Sequence, residues 1–218
     1  MLCLVIFSFF PKHIWPFLQN HVIEKRMSEI RQLPTAFHLK KTIAMVGMMG
    51  AGKTAVGRAL SAQLGVPFLD SDVEIESAAN MSVQEIFERD GEPFFRRKEA
   101  QVIKRLLETE RCVLSTGGGA FLAEDNRKNI TAKGISVWLD ADLDLLWSRV
   151  QHKSTRPLLR TSDPRATLSK LFNSRVPIYA TADIRVESSA SYSIENMAQK
   201  VIEALLQRQD VLEKSHHV

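Results

Sequence analysis

Cysteine is scarce in this chain of 218 residues, which contains only Cys3 and Cys112. Cys112 lies within an apolar run, and Cys3 lies in the N-terminal segment. Two cysteines in these positions supply neither a disulfide framework nor a zinc site of the usual Cys and His spacing. Both fit a reducing compartment, and we expect the protein to be cytoplasmic.

The main part of the chain has no excess charge of either sign. The formal net charge is +4, but residues 1–41 hold six Lys or Arg and two Glu, which leaves 23 basic and 23 acidic residues in 42–218. Proteins that bind nucleic acid present a basic surface to its phosphates. We therefore expect no nucleic acid partner. The hydrophobic fraction of 44% is enough for a packed core.

No hydrophobic run in the chain is long enough to cross a bilayer, which takes about 20 residues. The first ten residues are apolar, but Pro11 and Lys12 interrupt them. The basic segment and cleavage site of a signal peptide are also missing. Two interpretations stay open: residues 1–26 form a membrane-surface or partner-binding segment, or the true start is Met27.

The length predicts one domain with an appendage. We expect residues 1–41 to be an N-terminal extension, disordered or in part preceding the native start. Residues 42–208 would form the folded domain, with no membrane contact. Residues 209–218, apart from Val211, would form a solvated tail. We also expect a monomer. The sequence shows no internal repeat and no low-complexity tract.

Residues 47–54 fit the pattern Gly-x4-Gly-Lys-Ser/Thr at every fixed position. The apolar segment 42–46 before them reads as a buried strand, and residues 55–64 are apolar at helical spacing. A strand, a glycine loop and a helix in this order predict a phosphate site, because backbone N–H groups and the helix N-terminus both face the anion. Lys53 would reach the β- and γ-phosphates, and the Thr54 hydroxyl would ligate Mg2+. The alternative is a glycine-rich turn without function.

Apolar segments alternate with helical patterns along the rest of the domain. This alternation predicts an α/β fold, in which helices cover both faces of a parallel sheet. The predicted strands are 42–46, 66–69, 112–115, 135–139 and 182–186; the predicted helices are 55–64, 82–87, 92–108, 142–150, 164–174 and 194–208. Ligands of such sheets bind beyond the carboxyl ends of the strands, so residues that follow strands should converge on one crevice.

Asp70 and Asp72 follow the second predicted strand. In extended backbone, residues i and i+2 point the same way, so both carboxylates could face the γ-phosphate. One could hold Mg2+ through water, and the other could take the proton of an acceptor hydroxyl. The alternative is that they cap a helix that begins near Val73.

Arg96 and Glu99 are three residues apart on a predicted helix and can pair on one face. An arginine held by a glutamate is oriented to grip a carboxylate, whereas the alternative is a solvated charged face. Three consecutive glycines, 117–119, follow a strand and suggest that backbone touches a ligand there, or else a plain flexible turn. Two further arginines, Arg156 in a polar loop and Arg175, could neutralise charge on a transferring phosphoryl group or bind an anion.

Taken together, these residues resemble the shikimate kinase family, which belongs to the nucleoside-monophosphate-kinase-like P-loop proteins. The resemblance covers about 42–206, and its motifs occur in family order: residues 47–54, Asp70-Ser71-Asp72, Phe95-Arg96-Arg97, Gly117-Gly118-Gly119-Ala120, Arg156-Pro157-Leu158-Leu159 and Arg175-x-Pro177-x-Tyr179. The chain departs from the family in four respects. Thr54 replaces a common Ser, and the N-terminal 40 residues have no counterpart in the family core. No Walker-B aspartate follows 112–115, and residues 186–189 are not distinctive as a base-binding loop.

The resemblance implies a three-layer α/β/α fold with five parallel strands, a lid loop and substrate-binding helices. It implies ATP-dependent phosphorylation of the 3-hydroxyl of shikimate, on the route to chorismate and the aromatic amino acids, with Mg2+ as cofactor and ATP as co-substrate. Two rivals stay open: a gluconate kinase of the same fold, and a catalytically silent nucleotide-binding module.

The resemblance also implies roles for individual residues. Shikimate would be bound by Asp72, Arg96, Gly118, Gly119 and Arg175, in a pocket walled by Phe87 and Phe95. The nucleotide would be bound by Gly50, Ala51, Gly52, Lys53, Thr54, Ala55, Arg149 and Arg156, with Arg149 against adenine and Arg156 in the lid. Thr54 and Asp70 would hold the metal. Catalysis would depend on Lys53, Asp72 and Arg156.

Overall fold

The computed structural model describes residues 37–152 and 157–215. Expectations that concern residues 1–36, 153–156 and 216–218, including the role of Arg156 and both interpretations of the N-terminal segment, lie outside the described residues. The described strands are β1 (Phe37–Leu39), β2 (Thr42–Val46), β3 (Phe68–Asp70), β4 (Val113–Ser115), β5 (Gly134–Asp140), β6 (Ile184–Glu187) and β7 (Leu212–Lys214). The described α-helices are α1 (Lys53–Leu64), α2 (Ser71–Ala79), α3 (Val83–Thr109), α4 (Glu124–Lys133), α5 (Leu143–Val150), α6 (Pro164–Tyr179) and α7 (Ile194–Leu205).

The main sheet has five parallel strands in the order β3-β4-β2-β5-β6. Its central strand, β2, is buried along its whole length. Ile43 of β2 lies opposite Val113 on one side and Ile135 on the other. A strand covered on both faces is apolar at nearly every position, which explains the run Ile43–Val46, and the one polar side chain, Thr42, donates its hydroxyl hydrogen to the carbonyl oxygen of Glu110 at 2.6 Å. The expected α/β fold with a five-stranded parallel sheet is confirmed.

A smaller hydrophobic cluster, which we call the minor core, lies apart from the main core. Its buried members are Ile75, Ile86 and Phe95, on α2 and α3. The helix α3 bends at Gly91, where φ is 78° and ψ is 167°, a conformation that favours glycine. The sequence predicted this break, and it also predicted the capping box that begins α3. There the Ser82 N–H donates to Glu85 Oε2 at 2.7 Å, and the Glu85 N–H donates to Ser82 Oγ at 3.2 Å.

A second, two-stranded sheet joins both ends of the domain. The strands β1 and β7 pair antiparallel, with Phe37 opposite Lys214. Val211, which the expectation of a solvated tail excepts, is fully buried, but so is Leu212, and the expectation is wrong for that residue and for the strand that it begins. The reason is that β7 is three residues long and its partner is more than 170 residues away, so neither periodicity nor local turn chemistry indicates the pairing. Ion pairs such as Lys41 with Asp210, at 2.7 Å, reinforce it.

Two further elements differ from the sequence expectation. Helix α4 was not predicted, because Asn126 and Ile130 are its only buried residues and they give no apolar stripe. Helix α6 continues beyond residue 174 to Tyr179 in spite of Pro177, so Arg175 lies on a helix. Nowhere in 37–152 or 157–215 does a helix combine the length and apolarity needed to cross a membrane.

The pairing of β1 with β7 makes a prediction about stability. Replacing Leu212, whose exposed fraction is 0%, by Ala should lower the free energy of unfolding by about 2–5 kcal/mol, as for other buried leucines. Lys214→Ala, at an exposed position of the same strand, is the matched control and should change it little. Denaturant-induced unfolding of both variants measures the difference. Equal stability of the Leu212→Ala variant and the wild-type protein would contradict the buried position of β7.

Candidate active site

The glycine loop between β2 and α1 lines a cavity of about 460 Å3, here called the phosphate cavity. All of the described residues that the sequence assigns to the nucleotide line it, namely Gly50, Ala51, Gly52, Lys53, Thr54, Ala55 and Arg149. Gly50 has φ 86°, and a Cβ atom there would lie 2.7 Å from Val150 Cγ1. The loop therefore needs glycine at this position both for its backbone conformation and for its close contact with α5.

Two cations lie against the backbone of this loop. Lys53 Nζ donates hydrogen bonds to the carbonyl oxygens of Gly47 and Met48, at 2.9 and 3.1 Å. Arg149 NH1 donates to the carbonyl oxygens of Gly50 and Ala51, at 3.2 and 3.4 Å. Both positive charges are thus held at the loop whose N–H groups would surround a phosphate.

Thr54 lines this cavity, and its side chain contacts residues that end two other strands, β3 and β4. Its hydroxyl donates to Asp70 Oδ2 at 3.3 Å and lies 3.2 Å from Ser115 Oγ. Asp70 also caps α2, because its Oδ1 accepts a hydrogen bond from the Asp72 N–H at 3.1 Å. The capping interpretation of Asp70 is confirmed, and the same side chain lines the phosphate cavity, so a functional role stays a prediction compatible with the cap. Ser115 was missed, because a single Ser at the end of an apolar strand gives no sequence signal.

The oxygens of Thr54 and Asp70 fit a magnesium site. Mg2+ prefers oxygen ligands and usually takes one or two from the protein, the rest being water and phosphate. Within 37–152 and 157–215, no cluster of three or more His, Cys, Asp or Glu side chains could hold a metal ion by itself. A hydroxyl and a carboxylate that already lie within hydrogen-bonding distance match this partial ligand set.

A second cavity, of about 160 Å3, is here called the acceptor cavity. All of the residues that the sequence assigns to the acceptor line it, namely Asp72, Arg96, Gly118, Gly119 and Arg175, and so do Phe87 and Phe95. The rings of Phe87 and Phe95 lie 4.7 Å apart between centroids and form an apolar wall. Met49, Asp72, Gly117 and Gly118 line both cavities, so the two spaces adjoin.

Arg96 is fixed by two carboxylates on its own helix. Its NH1 donates to Glu99 Oε2 at 2.8 Å, and its Nε and NH2 donate to Glu92 Oε1 at 3.1 and 3.0 Å. The side chain of Glu99 is only 1% exposed, so the alternative of a solvated charged face is wrong. Burial alone would lower the pKa of Arg96, but Glu99 and Glu92 outweigh it and raise that pKa. Glu92 was not predicted as a partner.

At two of the three positions in the run Gly117–Gly119, neighbouring side chains leave no room for a Cβ atom. A Cβ atom on Gly119 would lie 2.6 Å from Arg96 NH2, and one on Gly117 would lie 2.9 Å from Asp72 Oδ1. Side chains at these positions would displace the arginine and the aspartate from the cavity. At Gly118 a Cβ atom would make only ordinary contacts, the nearest at 3.7 Å. The sequence argument located this run correctly but missed this reason for it.

Tyr179 is hydrogen-bonded to the backbone of the glycine run. Its side chain is fully buried, and its hydroxyl donates to the carbonyl oxygen of Gly118. Burial raises the pKa of Tyr179 to about 12, against the opposing charge of Arg175, so the hydroxyl stays a neutral donor. Arg175 lies four residues earlier on α6 and therefore on the same face of the helix. The buried tyrosine thus places Arg175 at the acceptor cavity.

Two buried carboxylate oxygens at this site, Asp72 Oδ1 and Glu99 Oε1, have no hydrogen-bond partner in the described part of the chain. Burial and the nearby charge of Asp70 raise the pKa of Asp72, while Lys53 and Arg96 oppose the shift. Burial also raises the pKa of Glu99, against the charge of Arg96. A buried acceptor without a partner destabilises the folded protein, and a bound hydroxyl would remove this cost.

Comparison of the sequence with known proteins points to one family. The family model for shikimate kinase matches residues 49–206. A shikimate kinase of Ruegeria pomeroyi is 68% identical over 177 residues, which are 81% of this chain and 91% of that protein. One from Cereibacter sphaeroides is 65% identical over 175 residues, which are 80% of this chain and 87% of that protein.

A solved structure gives the same result. The shikimate kinase of Acinetobacter baumannii in complex with shikimate matches with a TM-score of 0.73 and 35% sequence identity. The match covers 84% of this chain and 98% of the other. Since the family model spans most of the chain and the relatives are matched over nearly their whole length, this chain belongs to the shikimate kinase family.

Proposed function

We propose that this protein transfers the γ-phosphoryl group of ATP to the 3-hydroxyl of shikimate, giving shikimate 3-phosphate and ADP on the route to chorismate and the aromatic amino acids. The observation that carries the proposal is the shared wall of the two cavities. Asp72, Gly117 and Gly118 line both the phosphate cavity and the acceptor cavity. A hydroxyl bound on the acceptor side would therefore lie beside a phosphate bound on the other.

The acceptor cavity has the chemistry to bind a hydroxylated ring that carries a carboxylate. Arg96 and Arg175 both line it and supply two guanidinium groups, which bind carboxylates through paired hydrogen bonds. Phe87 and Phe95 offer an apolar surface to the ring. Asp72 offers a buried, unpartnered oxygen to its hydroxyl groups. The shikimate bound in the related structure from Acinetobacter baumannii supports this choice of acceptor.

The phosphate cavity has the chemistry to bind the triphosphate of ATP. The loop N–H groups, the N-terminus of α1 and Lys53 surround the position of the phosphates. Thr54 and Asp70 would hold Mg2+, which supplies positive charge to the phosphate oxygens when bound. Arg149 lines the same cavity. We also propose that Arg156 lies in a lid loop, where it completes the positive surroundings of the transferred group.

The transfer needs positioning and charge neutralisation more than covalent help from the protein. The acceptor oxygen forms a bond to the γ-phosphorus as the bond from that phosphorus to the oxygen of ADP breaks. Asp72 takes the proton of the hydroxyl, and its raised pKa makes its carboxylate a stronger base. Lys53 stabilises the charge on the transferred group. We further propose that the enzyme works as a cytoplasmic monomer.

Each rival function meets a specific difficulty, one from the structure and one from a related protein. A catalytically silent module would lack part of the site, yet every described candidate residue lines one of the two cavities. A gluconate kinase would also use arginines for a carboxylate. The shikimate-bound relative favours shikimate over gluconate.

Removing the ammonium group of Lys53 tests the phosphate site. The Lys53→Met variant should lose at least about 100-fold in kcat, because a charge that stabilises the transition state in a closed site contributes that much or more. Coupled measurement of ADP release with shikimate present gives the rate. Lys98→Met, at an exposed position of α3 outside both cavities, serves as the control. Retention of full activity by the Lys53 variant, with its fold intact, would exclude phosphoryl transfer at this loop.

Removing the guanidinium group of Arg175 tests the acceptor site. The Arg175→Ala variant should bind shikimate more weakly by about 2–4 kcal/mol, the cost of truncating one partner of a buried charge pair. Its affinity for ADP should stay unchanged. Calorimetric titration with each ligand measures both constants. Arg165→Ala removes an exposed arginine from the same helix and is the control. If Arg175→Ala weakened shikimate and ADP equally, the assignment of Arg175 to the acceptor would be refuted.

A further inference from the structure

The glycine run continues into a short 3-10 turn, Ala120–Leu122. The Ala120 N–H donates a hydrogen bond to the carbonyl oxygen of Gly117 at 3.0 Å. The Leu122 N–H donates to the carbonyl oxygen of Gly119 at 3.1 Å. The turn therefore binds the first and the last carbonyl group of the run. The position of the glycines at the acceptor cavity thus depends on what holds the turn.

Two adjacent side chains of α4 hold this turn. A helical turn of three residues pairs few of its own carbonyl groups, so other groups must bind them. Asn126 Nδ2 donates to the carbonyl oxygen of Ala120 at 2.9 Å. Arg127 NH1 donates to the carbonyl oxygens of Phe121 and Leu122, at 2.9 and 2.8 Å. All three carbonyl groups of the turn are therefore bound from α4.

Helix α4 is itself fixed to the body of the domain. Its residue Ile130 is fully buried in the main core. The helix ends at Lys133, and β5 begins at the next residue, Gly134. Because both the core and the sheet hold α4, the side chains of its first turns bind the 3-10 turn from a fixed position.

Asn126 lowers the stability of the fold at one atom. The residue is 1% exposed, and its Oδ1 has no hydrogen-bond partner in the described part of the chain. Buried polar atoms are nearly always paired, so an unpaired one needs an explanation. The carbonyl oxygen of Ala120 also accepts the Ala123 N–H, at 3.4 Å, so it would keep a partner without Asn126. The asparagine is therefore better explained by the position of the turn than by the stability of α4.

The turn keeps Gly119 in contact with Arg96. A Cβ atom on Gly119 would lie 2.6, 2.7 and 2.8 Å from three atoms of the Arg96 guanidinium group. The backbone and this group therefore touch, and a movement of Gly119 would displace the guanidinium group or remove its support. A misplacement of about 1 Å at a functional site can cost about 100-fold in rate.

We infer that Asn126 and Arg127 are positioning residues for the acceptor, although no residue of α4 lines either cavity. By binding the three carbonyl groups of the turn, they keep Gly119 against Arg96 and so increase the affinity for shikimate. The inference rests on the proposed function in taking shikimate as the acceptor. It gives a role in substrate binding to a helix that lies outside the site.

Calorimetric titration of the full-length chain with shikimate and with ADP tests this inference. Arg127→Met keeps the apolar stem of the side chain and removes two of the three hydrogen bonds. Its Kd for shikimate should rise about tenfold, the lower end of the range for residues that orient the ligands of metal sites. Its Kd for ADP should not change, because Arg96 and Gly119 line the acceptor cavity and not the phosphate cavity. Asn126→Ala removes the third bond and should weaken shikimate binding in the same selective way.

Lys128→Met is the matched control, because Lys128 is the next residue of α4 and its ammonium group pairs with Glu124 at an exposed position. It should change neither constant. An unchanged Kd for shikimate in both Arg127→Met and Asn126→Ala would overturn the inference. So would an equal rise in the Kd for shikimate and for ADP, which is expected of residues that only stabilise the fold. If the wild-type protein bound shikimate without phosphorylating it, the proposed function would be refuted, and the two variants would still decide the inference.

Discussion

The acceptor cavity of this enzyme depends on the close approach of two side chains to a run of glycines, which have no side chains to block that approach. Arg96 and Asp72 occupy the space that Cβ atoms on Gly119 and Gly117 would fill. Glu99 and Glu92 hold the guanidinium group in that space, and the hydroxyl of the buried Tyr179 donates to the carbonyl oxygen of Gly118 in the same run. Helices α3 and α6 thereby both contact the glycine run, and together with it they line the acceptor cavity.

Several atoms of this arrangement lower the free energy of unfolding. Asp72 and Glu99 each keep a buried oxygen without a partner, and burial raises the pKa of both carboxyl groups. Folded proteins tolerate such costs at sites where a ligand provides the missing partner. The main core, with its fully buried central strand, offsets them. The electrostatics of the site favour hydroxyl and carboxylate groups on the acceptor side and phosphates on the other.

The sequence predicted those parts whose signal is local. The glycine loop, the capping box at Ser82 and the break at Gly91 each follow from a short pattern with a backbone reason behind it. The pairing of β1 with β7 was missed because it joins segments of three residues across nearly the whole domain. Ser115 and Glu92 were missed for a related reason, since each acquires its role from a neighbour in space. The resemblance to a family supplied roles for Arg149 and Arg175 that no local pattern contains.

The minor core has a consequence for how the acceptor could change during evolution. Its three buried members are separate from the main core, and they lie on α2 and on both sides of the bend at Gly91 in α3. Phe87 and Phe95, which wall the pocket, belong to this cluster or pack on it. Substitutions there would reshape the pocket while the sheet and the glycine loop kept their geometry. A fold divided in this way allows related enzymes to diverge in the alcohol they phosphorylate and still inherit one unaltered means of handling ATP.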